Sequence, residues 1–170
     1  MISECHSHRQ MREKMVENWP EAVTPACDLV TAATRLSDLL LANGRPVVAS
    51  HGLTSAELDV LVTLRKMAPP HELTPTSLGN STLITSGGLT KVLNQLEDKK
   101  LVVRKADSLD RRVKRVRLTP TGITKAEAAL TEVLSVNASM LNQLISKKDL
   151  ENFNTVLMKL LAGIEAQVQR

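Results

Sequence analysis

Nine cationic side chains, Lys99, Lys100, Arg104, Lys105, Arg111, Arg112, Lys114, Arg115 and Arg117, crowd into residues 99–117 beside only two acids, Asp107 and Asp110. That segment therefore carries +7 while the whole chain carries +4, which leaves the other residues at −3. Charge gathered in one place suits a polyanion held at one place. Each Lys or Arg that neutralises a phosphate releases a counterion, so binding of this kind weakens with salt. A solvated hairpin, charged only for solubility, is the plain alternative.

A second set of residues lies just upstream. Gly87, Thr90, Lys91 and Asn94 recur at i, i+3, i+4 and i+7, and Leu89, Val92, Leu93 and Leu96 follow the same spacing. The pattern predicts a helix with one apolar face that packs and one face of small, hydrogen-bonding or cationic residues. A helix with such a face can enter the major groove, where bulky side chains would hold it off the base edges. Gly87 and Gly88 each cost about 1 kcal/mol of helix propensity relative to Ala. Close approach of a phosphate to the free N–H groups of the helix start is one reason for them, and a turn before a shorter helix is the other.

No other chemistry competes. The chain has no nucleophile elbow, phosphate-binding loop, dinucleotide fingerprint or metal-ligand cluster, and His6, His8, His51 and His71 are scattered. No catalytic residue, metal or cofactor is expected. Cys5 and Cys27 read as two reduced thiols rather than a disulfide framework. With one Trp, one Phe and no Tyr, the core must be aliphatic, and single-strand binding by base stacking loses its platforms. No run of about 18 apolar residues exists and the N-terminus is polar, so a cytoplasmic protein without a membrane partner is expected.

Several elements must position these groups. Residues 1–25 form an arm with a short helix at residues 11–18 and no assigned role. Leu29, Val30, Ala33, Leu36 and Leu40 predict a helix over residues 26–42, stopped by Asn43-Gly44 before Pro46. Thr54 and Glu57 form a capping box with Leu53 and Leu58 as its staple, which starts a helix at Ser55 that runs to Met67. A short helix follows Thr74, with Pro75 in its first turn and Gly79-Asn80 at its close. Thr85 or Ser86 then caps the two-faced helix. Strands are predicted at residues 101–105 and 113–118, with Val116 and Leu118 packing and Arg115 and Arg117 staying wet. The loop between them carries Arg111 and Arg112, which can enter a narrow minor groove. Asp107 and Asp110 are expected to orient those guanidinium groups through local hydrogen bonds or ion pairs. Two long helices follow, the second begun by Ser146 and Asp149, and their apolar surface exceeds what the core needs. A second copy is the commonest partner for such surface.

The series Leu89-Thr90, Leu96-Glu97, Leu101-Val102-Val103-Arg104, Asp107, Asp110-Arg111-Arg112, Leu118-Thr119 and Gly122 resembles the multiple antibiotic resistance regulator (MarR) family of transcription factors over roughly residues 29–164. The resemblance implies a mainly α (α+β) fold, a winged helix-turn-helix with N- and C-terminal dimerisation helices. It divides the chain into an arm (1–25), a dimerisation helix (26–45), a DNA-binding domain (46–119) and C-terminal dimerisation helices (120–170). Ser86, Gly87, Gly88, Thr90, Lys91 and Asn94 would lie on the recognition helix, with Arg104, Arg111, Arg112 and Lys114 on the wing. It further implies a homodimer on a pseudo-palindromic double-stranded DNA operator, commonly a repressor released by a small phenolic or lipophilic effector. Two departures stand out. Lys100 occupies the place usually held by Gly before the first wing strand, and the chain lacks the tyrosines with which the peroxide-sensing branch holds its reactive Cys. Two alternatives remain open at this point: a redox-responsive regulator acting through Cys27, and a winged-helix protein interaction module without DNA.

Overall fold

The computed structural model describes residues 7–82, 84–106 and 114–168. Contacts divide the chain into Met1–Pro46 and Val47–Arg170.

In the first unit, α1 (His8–Asn18) starts three residues before the predicted helix. Ser7 Oγ accepts from the Gln10 N–H and Gln10 Oε1 accepts from the Ser7 N–H, a capping box at the sequence Ser-x-x-Gln that satisfies two end groups at once. A single 3-10 turn at Pro20–Ala22 leads to α2 (Pro25–Ser50). Arg12 holds Asp28 through two bonds of 2.7 and 2.9 Å, tying α1 to the start of α2.

The predicted stop at Asn43-Gly44 is wrong: α2 runs through Pro46 to Ser50. Asn-Gly permits a helix end but does not compel one, and the added residues carry Val48 into the core. The true terminator is Gly52, whose φ of 69° is the left-handed conformation that glycine adopts without steric cost. Its N–H reaches the Ala49 carbonyl and the Leu53 N–H reaches the Val48 carbonyl, with Val48 and Leu53 both buried. That paired arrangement is a Schellman end.

The second unit is built on α3 (Ser55–Lys66), β1 (Glu72–Leu73), α4 (Pro75–Ser81), α5 (Ser86–Asp98), β2 (Val102–Ala106), β3 (Lys114–Leu118), α6 (Pro120–Leu144) and α7 (Lys147–Val168). Thr54, Thr74, Thr85 and Thr119 cap α3, α4, α5 and α6, each accepting from an N–H in the first turn. The α3 cap is the predicted box, completed by Glu57 Oε2 accepting from the Thr54 N–H at 2.7 Å. Leu61, Leu64, Leu78, Leu96, Val102 and Val116 are fully buried and close the core between helices and sheet. Burial of each such side chain stabilises by roughly 1.5–3 kcal/mol. Ala126 and Ala129 on α6 are also buried, their small side chains letting α6 lie close to α3.

The sheet has the order β1-β3-β2, all antiparallel. β1 was not foreseen. Two residues carry no period, and the strand exists because β3 pairs with it, setting Glu72 opposite Arg117 and Leu73 opposite Val116. The structure is thus the expected mainly α winged helix with a small sheet. No single helix among the described residues is long and apolar enough to cross a membrane.

Candidate nucleic-acid interface

α5 displays the two faces that its spacing requires. Leu89, Val92, Leu93 and Leu96 are buried, while Gly87, Thr90, Lys91 and Asn94 are exposed and Gly88 is half-buried. Ser86 opens the helix behind the Thr85 cap. A Cβ on Gly88 would press on Thr85 and Ile84 at 3.1 and 3.2 Å, so the fold itself accounts for that glycine. A Cβ on Gly87 would meet nothing within 4 Å. Among the described residues no contact calls for glycine at position 87.

The exit of α5 accommodates the unusual lysine. Lys100 takes φ 58°, its N–H bonds to the Glu97 carbonyl, and the Leu101 N–H bonds to the Leu96 carbonyl. Lysine here adopts the Schellman geometry that a glycine would adopt without strain. Thr119 then locks the junction, its hydroxyl donating to the Lys100 and Leu101 carbonyls at 2.9 and 3.2 Å. Gly122, on the first turn of α6, lies so close that a Cβ would collide with the Leu101 carbonyl oxygen.

Pairing within the molecule redistributes the positive charge. Lys99 Nζ lies 2.7 Å from Glu57 Oε1, Arg104 Nη1 3.1 Å from Glu97 Oε2, and Arg117 Nε 2.9 Å from Glu72 Oε2, with Arg115 Nε 3.9 Å from the other oxygen of Glu72. Four of the nine cations in residues 99–117 therefore face carboxylates that lie outside that segment or on α5. The expectation that Arg115 and Arg117 stay wet is corrected: both are half-buried because β1 brings Glu72 across the sheet to them. Lys100, Lys105 and Lys114 are exposed, and Lys114 stands opposite Ala106 at the end of the hairpin ladder. Arg111, Arg112, Asp107 and Asp110 lie outside the described residues.

Arg104 and Asn94, predicted on separate elements, are brought together: Arg104 Nη2 donates to Asn94 Oδ1 at 2.7 Å. Sequence spacing gives no sign of this pair, because it joins a helix to the strand after it across ten residues. The buried carboxylate of Glu57 is a second feature missed. Burial pushes its pKa up, but hydrogen bonds from Lys99 and from the Thr54 backbone and hydroxyl, with the nearby Lys99 charge, outweigh burial and hold it below the ordinary carboxylate range.

Elsewhere, Cys27 is half-buried near the start of α2, its Sγ 3.7 Å from Met15 Sδ. Cys5 lies outside the described residues. Among the described residues no group of three or more His, Cys, Asp or Glu side chains could hold a metal ion.

Residues 51–113 match the family model described as MarR family. The transcriptional regulator MhqR of Bacillus subtilis is 33% identical over 100 residues, 58% of this chain and 63% of the relative. The chain thus spans less than two thirds of the length of the curated relatives it matches. Among solved structures, NadR in complex with 4-hydroxyphenylacetate has a TM-score of 0.62 at 26% identity, covering 78% of this chain and 89% of that one. The S. aureus MepR–DNA complex has a TM-score of 0.64 at 23% identity, covering 83% of this chain and 98% of that one. The chain is thus similar to MarR-family proteins over residues 51–113, and similar in fold to NadR across most of its length.

Proposed function

We propose that this protein is a cytoplasmic, homodimeric, sequence-specific DNA-binding transcriptional regulator. Residues 46–119 act as the DNA-binding domain, and residues 26–45 and 120–170 as dimerisation helices. α5 reads the major groove with Ser86, Gly87, Gly88, Thr90, Lys91 and Asn94. Arg104, Arg111, Arg112 and Lys114 bind DNA from the wing, with Asp107 and Asp110 orienting Arg111 and Arg112.

The observation that carries this reading is the two-sided α5. Its apolar stripe is wholly taken up by the core, while the opposite face is exposed, small and polar beside a cationic hairpin. Gly87 adds support, since its missing side chain answers no contact among the described residues and would leave the helix start open to a phosphate.

The homodimer is supported by α7, which has no buried residue among those described although it carries Phe153, Val156, Leu160, Leu161 and Ile164. Apolar surface on that scale calls for a partner, and a two-fold pair would set two α5 helices about 34 Å apart, one turn of DNA. Repression relieved by a small phenolic or lipophilic effector is the mode of action we assign. It is supported by the fold shared with NadR, whose structure holds 4-hydroxyphenylacetate, and with MepR, whose structure holds DNA.

Selection of bound fragments from random duplexes tests the whole. A recovered motif with two-fold symmetry, whose binding falls steeply with salt, is the expected result. Recovery of no motif, with only weak salt-insensitive retention, would sink the reading.

A further inference from the structure

Asn94 stands on the exposed face of α5 with its Oδ1 bonded to Arg104 Nη2 at 2.7 Å. A guanidinium offers no acceptor, so chemistry dictates which end of the carboxamide faces it: the carbonyl oxygen. Glu97, one turn further along α5, holds Arg104 in place twice over. Its Oε2 lies 3.1 Å from Arg104 Nη1, and its Oε1 accepts from the Arg104 backbone N–H at 3.2 Å. The three residues form a chain from carboxylate to guanidinium to carboxamide.

That chain changes what Asn94 can read. An unattached Asn carboxamide pairs with adenine by donating to N7 and accepting from the N6 amino group. Here the accepting end is turned toward a cation, and an amino group approaching the remaining lone pair of Oδ1 would meet the N–H groups of Arg104, donor against donor. The polar edge left for a base is dominated by donors, the Nδ2 amino group backed by a guanidinium whose charge disfavours a second donor at Oδ1. Guanine, which presents N7 and O6 as two acceptors, is the base that fits such an edge.

We infer that Asn94 and Arg104 act together as one donor edge that selects guanine over adenine in the major groove, with Glu97 as the positioning residue. The inference rests on the DNA-binding reading above and adds to it the base and the pair that sets it.

Duplex selection with the wild type, Asn94→Ala, Arg104→Met and Arg104→Lys tests it. The wild-type motif should hold a guanine at one position of each half-site, and Asn94→Ala should erase the preference at that position. Arg104→Met releases Oδ1 and should move that same position toward adenine, lowering the guanine-to-adenine ratio about tenfold or more. Arg104→Lys, which keeps a cationic donor, should retain guanine. Because Asn94 is exposed, its alanine variant keeps the fold even if Arg104→Met does not. Two results overturn the inference while leaving DNA binding intact: adenine at every position sensitive to Asn94 in the wild-type motif, or a guanine that Asn94→Ala leaves unchanged. Failure of the wild type to select any motif overturns the DNA reading itself, and this inference with it.

Discussion

Lys99, the residue that closes α5, reaches back with its ammonium group to Glu57 Oε1 at 2.7 Å and to the Gly52 carbonyl at 2.9 Å. Glu57 is 1% exposed and also closes the α3 capping box, so one lysine joins three helix ends: the close of α2, the start of α3 and the exit of α5. Removing Lys99 leaves a buried carboxylate without its cation. Lys99→Met should destabilise by about 1–3 kcal/mol at neutral pH, measured by urea unfolding. The pH dependence follows from the depressed pKa of Glu57. A carboxylate whose folded pKa lies below its unfolded value contributes stability that is complete above the unfolded value, about 4.3, and is lost as pH falls through the folded one. The gap between wild type and variant should therefore be widest at neutral pH and narrow as Glu57 becomes protonated in acid.

Lys100 in a left-handed conformation stores strain at a surface position. Lys100→Gly should stabilise by roughly 0.5–1 kcal/mol, the relief of 1–2 kcal/mol being offset in part by the greater freedom of glycine in the unfolded chain. A rise in the urea midpoint with unchanged slope is the expected result.

Gly122 has the opposite sensitivity. Its Cβ would strike backbone rather than a yielding side chain, at the junction that Thr119 holds together. Gly122→Ala should cost about 2–3 kcal/mol.

Gly87→Ala should separate folding from binding. The substitution removes a poor helix former from an open site, so the thermal midpoint should hold or rise, by up to about 1 kcal/mol in stability. Affinity for a selected duplex should fall about tenfold, because the methyl stands where a phosphate would approach. An affinity equal to wild type would remove the phosphate explanation for Gly87.

Local signals made much of the fold legible in advance. Thr54 with Glu57, Pro75 behind Thr74, and the apolar period of α5 each act within one helical turn, and the chain obeys them. Helix ends were harder. Asn43-Gly44 looks like a stop, yet α2 continues to a terminator whose partners, Val48 and Leu53, show their value only once both enter a common core. β1 could not be read at all, since a two-residue strand owes its existence to a neighbour more than forty positions away. The candidate interface divides along the same line. Which residues of α5 face outward follows from the period, whereas the pairings of Arg104, Arg117 and Lys99 depend on acids delivered by tertiary structure. Summed charge overstated the cation available to a ligand for that reason.

α5 ends at Asp98 and β2 begins at Val102, with the three residues between them clamped by the Schellman bonds and by Thr119. A connection so short and so tightly bonded couples the direction of β2 to that of α5. Under the proposed DNA-binding function, a duplex gripped by both would have to supply the compliance itself, and its stiffness would become part of what is selected.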